Sequence, residues 1–190
     1  MHDVQAGRGH RDVRLGFVAI KLGKRGHQCK VDGVAIRQDV GNHVQHRAKF
    51  DLSSINFCIS GGAPLPVEVQ QSFEKLTGAT LIEGYGLTET SPTGAICPVD
   101  KSVRRVGSCG VPMPGTIIEI RDMENPDKAL PPGKEHVGEV CIIGPQVMKG
   151  YWKKPEETDK VLFSYPGSNW KGLRTGDMGY MDADGWLYLV

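Results

Sequence analysis

The sequence predicts an α/β fold in two parts: a parallel βαβ unit over residues 51–100, then a small β-barrel-like subdomain over residues 101–190. Three observations predict it. Two short apolar runs, INFCIS at 55–60 and ATLIE at 79–83, flank one amphipathic helical segment. A glycine-rich loop directly follows each run. From residue 116 onward, short strand-like runs alternate with turn residues, the texture of a compact all-β unit.

INFCIS is bounded by serines and then glycines and reads as a buried strand. After the GGAP turn, LPVEVQQSFEKLTG reads as a helix with Leu65, Val69, Phe73 and Leu76 on one face. Pro66 suits its first turn, Glu68 its positive end, Lys75 its negative end, and Gly78 its stop. A connection of this length most simply makes the flanking strands parallel, with a right-handed crossover. Both glycine loops then leave the carboxyl ends of neighbouring strands, where open α/β sheets bind ligands, and face one site. In the second part, TIIEIR at 116–121 and GEVCII at 138–143 read as strands, divided by the turns NPDK and PPGKEH. Pro155, Glu156 and Glu157 open a short helix reaching about Leu162. RTGDMGYM, the DADG turn and WLYLV close as a hairpin. Trp152 and Trp186 are expected in the core, where large aromatics usually sit.

The net charge of +1 conceals a split. Residues 1–50 hold 10 Lys/Arg against 4 Asp/Glu, and five of the six histidines. The remaining residues hold 13 Lys/Arg against 18 Asp/Glu, which sets a boundary near Phe50. The basic segment has no sustained period, and FVAI at 17–20 is its only compact apolar run. GFVAIKLGKR departs from a phosphate loop in glycine spacing and in carrying Arg25 where a hydroxyl is needed. His27, Cys29, His43 and His46 match no familiar zinc spacing. Few aromatics interleave with the charges, so nucleic acid is not the expected partner. The segment is expected to be a poorly ordered tail or foreign to the fold.

Hydrophobic residues at 39% and charged residues at 24% provide for a core and exclude a disordered composition. Aliphatic runs such as VCII at 140–143 are too short for a membrane span, and no leader pattern opens the chain. No integral membrane segment is expected, while peripheral association with a membrane stays open. The scattered Cys29, Cys58, Cys97, Cys109 and Cys141, without a CxxC pair, suit a reducing, cytoplasmic setting.

The chemistry concentrates in GYGLTETSP at 84–92. Glycines admit a ligand to the backbone amides, a tyrosine ring offers a face to a purine, Thr88 can donate to a phosphate oxygen, and Glu89 can hold hard Mg²⁺. The same residues also serve plain turns and a helix cap. In RTGD at 174–177, Asp177 presents two acceptor oxygens suited to the vicinal hydroxyls of a ribose, or Arg174 and Asp177 form an exposed ion pair.

Together, SGGAP, GYGLTET and RTGD, in this order and at these separations, resemble the adenylate-forming (AMP-binding) superfamily, and most nearly its long- and medium-chain fatty acyl-CoA synthetases. VGSCGVPMPG and GEVCIIGPQVMKGYWKKPEET strengthen the likeness, which covers about residues 50–190. The resemblance implies an AMP-forming acid–thiol ligase of fatty acid metabolism. A small-molecule carboxylate attacks the α-phosphate of ATP to give acyl-AMP and pyrophosphate, and the thiol of coenzyme A then displaces AMP. It implies that Gly61, Gly62, Ala63 and Pro64 line the space between adenine and acyl group. Glu83, Gly84 and Tyr85 would flank the adenine, with Gly86 at the carboxylate end. Thr88 and Glu89 would form the catalytic pair, Thr88 on phosphate and Glu89 on Mg²⁺, with Asp177 on the ribose. The family's Ser/Thr/Gly-rich phosphate loop ending in Pro-Lys-Gly has no counterpart in residues 1–50, and the chain stops at LYLV, before the family's hinge and C-terminal domain. The expectation is a fragment that binds AMP or ATP weakly without turnover and has marginal solubility. Competing readings are a non-catalytic nucleotide-binding or interaction module, and a relative that activates aromatic or amino acids.

Overall fold

A computed structural model describes residues 54–190 in full and the backbone course of residues 16–20. The expectations placed on His27, Cys29, His43 and His46 lie outside the described residues.

Two sheets form. The first runs in the order β1 (Gly16–Ile20), β2 (Phe57–Gly61), β3 (Thr80–Tyr85), β4 (Ala95–Ile96) and β5 (Val111–Pro112). β2 and β3 are parallel, with Phe57 opposite Thr80 and Ser60 opposite Glu83, as the helix-length connection requires. The other pairings are antiparallel, including β1 on β2, so FVAI of the basic segment joins the sheet.

Helix α1 (Val67–Thr77) links the parallel pair and ends at Gly78, whose N–H bonds Glu74 O. Val69 and Phe73 pack on the cluster of Cys58, Leu65 and Leu81. Leu76 does not join them and stays 42% exposed. The face that meets the sheet is centred nearer Gln70 and Phe73, and at 100° per residue Leu76 falls on its flank.

The buried Gln70 explains the rotation. Its Nε2 donates to Leu81 O at 2.8 Å, Arg104 donates to the same carbonyl at 2.8 Å, and Leu81 N–H donates to Glu74 Oε1 at 2.8 Å. Arg104 also bonds Glu74 Oε1 at 2.7 Å. β4 begins only opposite Gly84, so these three side chains satisfy the edge of β3 where no strand runs.

The second sheet has the order β10 (Leu187–Leu189), β9 (Lys171–Met181), β7 (Gly138–Gly144), β6 (Ile117–Arg121), with β8 (Leu162–Ser164) also on β9. Helix α2 (Pro155–Val161) precedes β8, close to its expected span. All pairings are antiparallel, and β9 with β10 makes the expected hairpin. The barrel expected here does not close: the order is open, with β6 at one edge and both β8 and β10 on the far side of β9. β8 and β10 use opposite ends of that long strand, Lys171–Leu173 and Gly179–Met181, so neither returns to pair β6.

The sheets are joined at one seam. Cys109 N–H donates to Leu187 O at 2.9 Å, and Leu187 N–H donates to Gly110 O at 2.8 Å. Around it lies the main core of Tyr85, Ala95, Cys109, Ile118, Ile120, Val140, Ile142 and Leu187, drawn from both sheets. Trp186 is buried as expected, packed with Ile82 and Cys97. Trp152 is not: it is 86% exposed, in a loop between β7 and α2 that turns its ring to solvent.

Candidate functional site

The seam opens into a cavity of about 290 Å³. The loop after β2 contributes Gly62, Ala63 and Pro64, and the end of β3 contributes Glu83, Gly84, Tyr85 and Gly86. Asp177 and Met178 enter from β9, Cys109 from the seam, and Leu189 and Val190 from the last strand and its end. Parallel pairing of β2 and β3 brings the two glycine loops to the same sheet end, so the expected convergence of SGGAP and GYG occurs. RTGD reaches the same cavity from 92 residues away, measured between Tyr85 and Asp177.

RTGD forms a bulge within β9. Glu139 pairs with Met178 and Cys141 with Arg174, so residues 175–177 stand opposite Val140 alone. Gly176 takes φ 77°, a left-handed conformation that suits glycine. The bulge is fastened by Thr175 Oγ1 to Val140 O at 2.7 Å, Asp177 N–H to Thr175 Oγ1 at 3.1 Å, and Gly176 N–H to Glu139 Oε1 at 3.1 Å. Bulges at sheet rims re-aim side chains, and this one delivers Asp177 to the cavity. Arg174 pairs with Glu139 at 3.5 Å rather than with Asp177.

Asp177 instead accepts a hydrogen bond from the Tyr85 hydroxyl at 2.7 Å. Tyr85 is only 8% exposed and belongs to the core, so most of its ring packs against protein. Burial, reinforced by the Asp177 charge, pushes the Tyr85 phenol far above its ordinary range and keeps it a donor. Burial likewise raises the Glu83 carboxyl to about 7, opposed only by the Leu65 amide at 3.4 Å. Cys109, whose Sγ lies 4.0 Å from Glu83 Oε1, is pushed up to about 12 and is a neutral thiol.

Gly61, Thr88 and Glu89 are not among the lining residues. Gly61 stands behind the loop, where a Cβ would lie 3.2 Å from Gly84 O. Gly86 is dictated by its own loop: a Cβ there would lie 1.9 Å from Pro92 O. The two threonines of TET divide their work. Thr90 is fully buried and folds the turn, its Oγ1 bonded to Leu87 N and Leu87 O at 2.9 Å each. Thr88 is exposed, at the start of a short 3₁₀ turn. Glu89 accepts from the Tyr151 hydroxyl at 2.8 Å through Oε1, and its backbone O takes the Met148 N–H at 2.8 Å. Tyr151 is thus a site neighbour that sequence reasoning missed, as it missed Cys109, Met178, Leu189 and Val190. Only their nearness to the quoted motifs signalled any of them.

Among the described residues no group of three or more His, Cys, Asp or Glu is placed to hold a metal. Glu89 does offer one hard oxygen, Oε2, that no described residue occupies. A single carboxylate fits Mg²⁺, which commonly takes its other ligands from water and substrate phosphates. The cavity lining itself holds two carboxylates and no Lys or Arg. Such a surface receives neutral, hydroxyl- and amine-bearing groups more readily than phosphates.

Comparison with known proteins gives the chain's family and fold. The family model for AMP-binding enzymes matches residues 27–152, beginning inside the segment read as outside the family resemblance. A long-chain-fatty-acid–CoA ligase of Bacillus subtilis is 52% identical over 142 residues, which are 74% of this chain and 23% of that protein. The crystal structure of a long-chain-fatty-acid–CoA ligase from Archaeoglobus fulgidus superposes with a TM-score of 0.66 at 28% identity, covering 78% of this chain and 31% of that one. An anthranilate CoA ligase solved with anthranoyl-AMP gives a TM-score of 0.61 at 28% identity, covering 75% and 25%. The chain spans about a quarter of the length of the curated relatives it matches. On the matched span, the shared fold and the convergence of its motifs, the chain belongs to the AMP-binding enzyme family.

Proposed function

We propose that this chain supplies the nucleoside end of the ATP site in an AMP-forming ligase that joins a fatty-acid carboxylate to coenzyme A. The observation that carries the proposal is the meeting of GGAP, EGYG and Asp177 in one cavity lined by carboxylates and without cations. Adenine and ribose suit that lining, and the triphosphate belongs outside it. The fatty-acyl class is supported by the names of the relatives, and the anthranilate ligase keeps an aromatic acid as the second reading.

In this reading Gly62, Ala63, Pro64, Glu83 and Gly84 flank the base, and Asp177 accepts from the ribose hydroxyls. Gly61 lets the two loops approach, and Gly86 borders the carboxylate end. Thr88 donates to phosphate, and Glu89 contributes one oxygen to Mg²⁺. When bound, that ion would neutralise phosphate charge. The carboxylate attacks the α-phosphate, pyrophosphate leaves, and the coenzyme A thiolate then displaces AMP, so positioning and charge neutralisation dominate the chemistry. The described cysteines are all unpaired and buried, which supports a reducing, cytoplasmic setting.

Isothermal titration of the 190-residue chain with AMP tests the site. Binding that drops at least about tenfold in Asp177→Ala is the expected result. Binding indifferent to Asp177→Ala would remove the proposal. Pyrophosphate release from ATP with a fatty acid separates a catalytic chain from one that only binds.

A further inference from the structure

We propose that Tyr85 is a positioning residue for Asp177, so that one buried phenol sets where the ribose hydroxyls are read. This rests on the reading of Asp177 as the ribose acceptor.

Asp177 is exposed, on a bulge at the sheet rim. A free exposed carboxylate samples several rotamers, and holding one of them opposes side-chain entropy. Tyr85 removes that freedom from an unusual direction. Its side chain belongs to the buried cluster that also holds Ala95, Cys109, Ile118 and Val140, so its hydroxyl is anchored by the core shared by both sheets. That hydroxyl donates to Asp177 Oδ2 at 2.7 Å, the short length of a charge-assisted bond. Oδ1 is then the carboxylate oxygen without a partner among the described residues. The bulge backbone has further holds on Thr175, Val140 and Glu139, through the Asp177 and Gly176 N–H groups and the Thr175 hydroxyl. Its course therefore does not depend on the phenol alone, and the phenol acts chiefly on the Asp177 side chain. Tyr85 also ends the strand that carries Glu83 and Gly84. A single residue therefore couples the strand that meets the base to the bulge that meets the sugar.

The coupling predicts a discrimination that loss of packing does not. Tyr85→Phe keeps the ring in the core and removes only the donor, and the released Asp177 oxygen is exposed and can be hydrated, so the variant folds. Dissociation constants for AMP and for 2′,3′-dideoxy-AMP are measured on the 190-residue chain and on the Tyr85→Phe and Asp177→Asn variants, with melting curves to verify folding. Tyr85→Phe is expected to weaken AMP about tenfold and leave the dideoxy analogue within about twofold. Equal weakening of both nucleotides, or no weakening of AMP, overturns the positioning role. Asp177→Asn distinguishes the two levels of the argument. If it abolishes the preference for AMP while Tyr85→Phe does not, only the Tyr85 inference fails. If it leaves the preference intact, the ribose reading fails and the inference with it.

Discussion

Replacing Glu83 with glutamine should stabilise the protein at pH 8 and leave it nearly unchanged at pH 5. The carboxyl sits in the cavity between the two glycine loops, and its direct hydrogen-bond partners are one long contact from the Leu65 amide and the Cys109 thiol. No cation lines the cavity, and Asp177 adds a second negative charge to it. Burial raises the group from its ordinary 4.5 to about 7. Below pH 4.5 both folded and unfolded chains carry the proton, and stability is full. As pH rises from there the unfolded chain ionises first, so stability falls, and the loss is complete once the folded carboxyl has ionised above about 7. At 1.36 kcal/mol per pH unit the full span is worth about 3.4 kcal/mol. Water reaches the carboxyl through the open cavity, so about half of that, roughly 2 kcal/mol, is the expected effect. With a urea m-value of about 2 kcal/mol/M, the midpoint of Glu83→Gln should exceed that of the parent by about 1 M at pH 8 and match it at pH 5. A difference of the same size at both pH values would refute the argument that burial without a counter-charge controls Glu83.

Three further outcomes follow from the packing. Gly86→Ala places a Cβ against Pro92 O and should destabilise by about 3 kcal/mol or more, with loss of AMP binding, read by thermal melting and titration. Arg104→Met removes the less exposed of the two cations on Glu74, leaving it the Lys101 ammonium at 3.2 Å and the Leu81 N–H, and deprives Leu81 O of one donor, so it should cost about 2 kcal/mol in urea. Adding Lys101→Met to that variant should cost more, since the Glu74 carboxylate then has no cation within reach. Trp152→Ala should change stability by less than about 0.5 kcal/mol while removing the tryptophan fluorescence most accessible to iodide, because its ring is 86% exposed.

The elements with a strong local signal were legible in the sequence. INFCIS and ATLIE are strands, LPVEVQQSFEKLTG is a helix stopped at Gly78, and the parallel pairing followed from the length of the link. The meeting of GGAP and EGYG was legible because strand topology dictates where such loops emerge, whereas Asp177 was assigned to the same site only through the family resemblance. Other features depended on partners distant in the chain. Leu76 lost its place on the packed face because Gln70 and Glu74 are drawn to the open edge of β3, a demand that exists only because no strand runs on the side of Leu81 away from β2. The sheet stayed open because β8 and β10 share one long strand.

The sequence by itself determined which residue types line the cavity, since two glycine loops and a tyrosine stand in local motifs and the family resemblance adds Asp177. Only the tertiary structure decided how they divide the work. Thr90 folds its turn while Thr88 stays exposed, Glu89 is held by Tyr151, and Tyr85, which lines the cavity, gives its hydroxyl to Asp177. The physical reason is that a hydrogen bond across 92 residues, or a carboxyl raised by burial, belongs to the surroundings a side chain acquires on folding rather than to the residue itself.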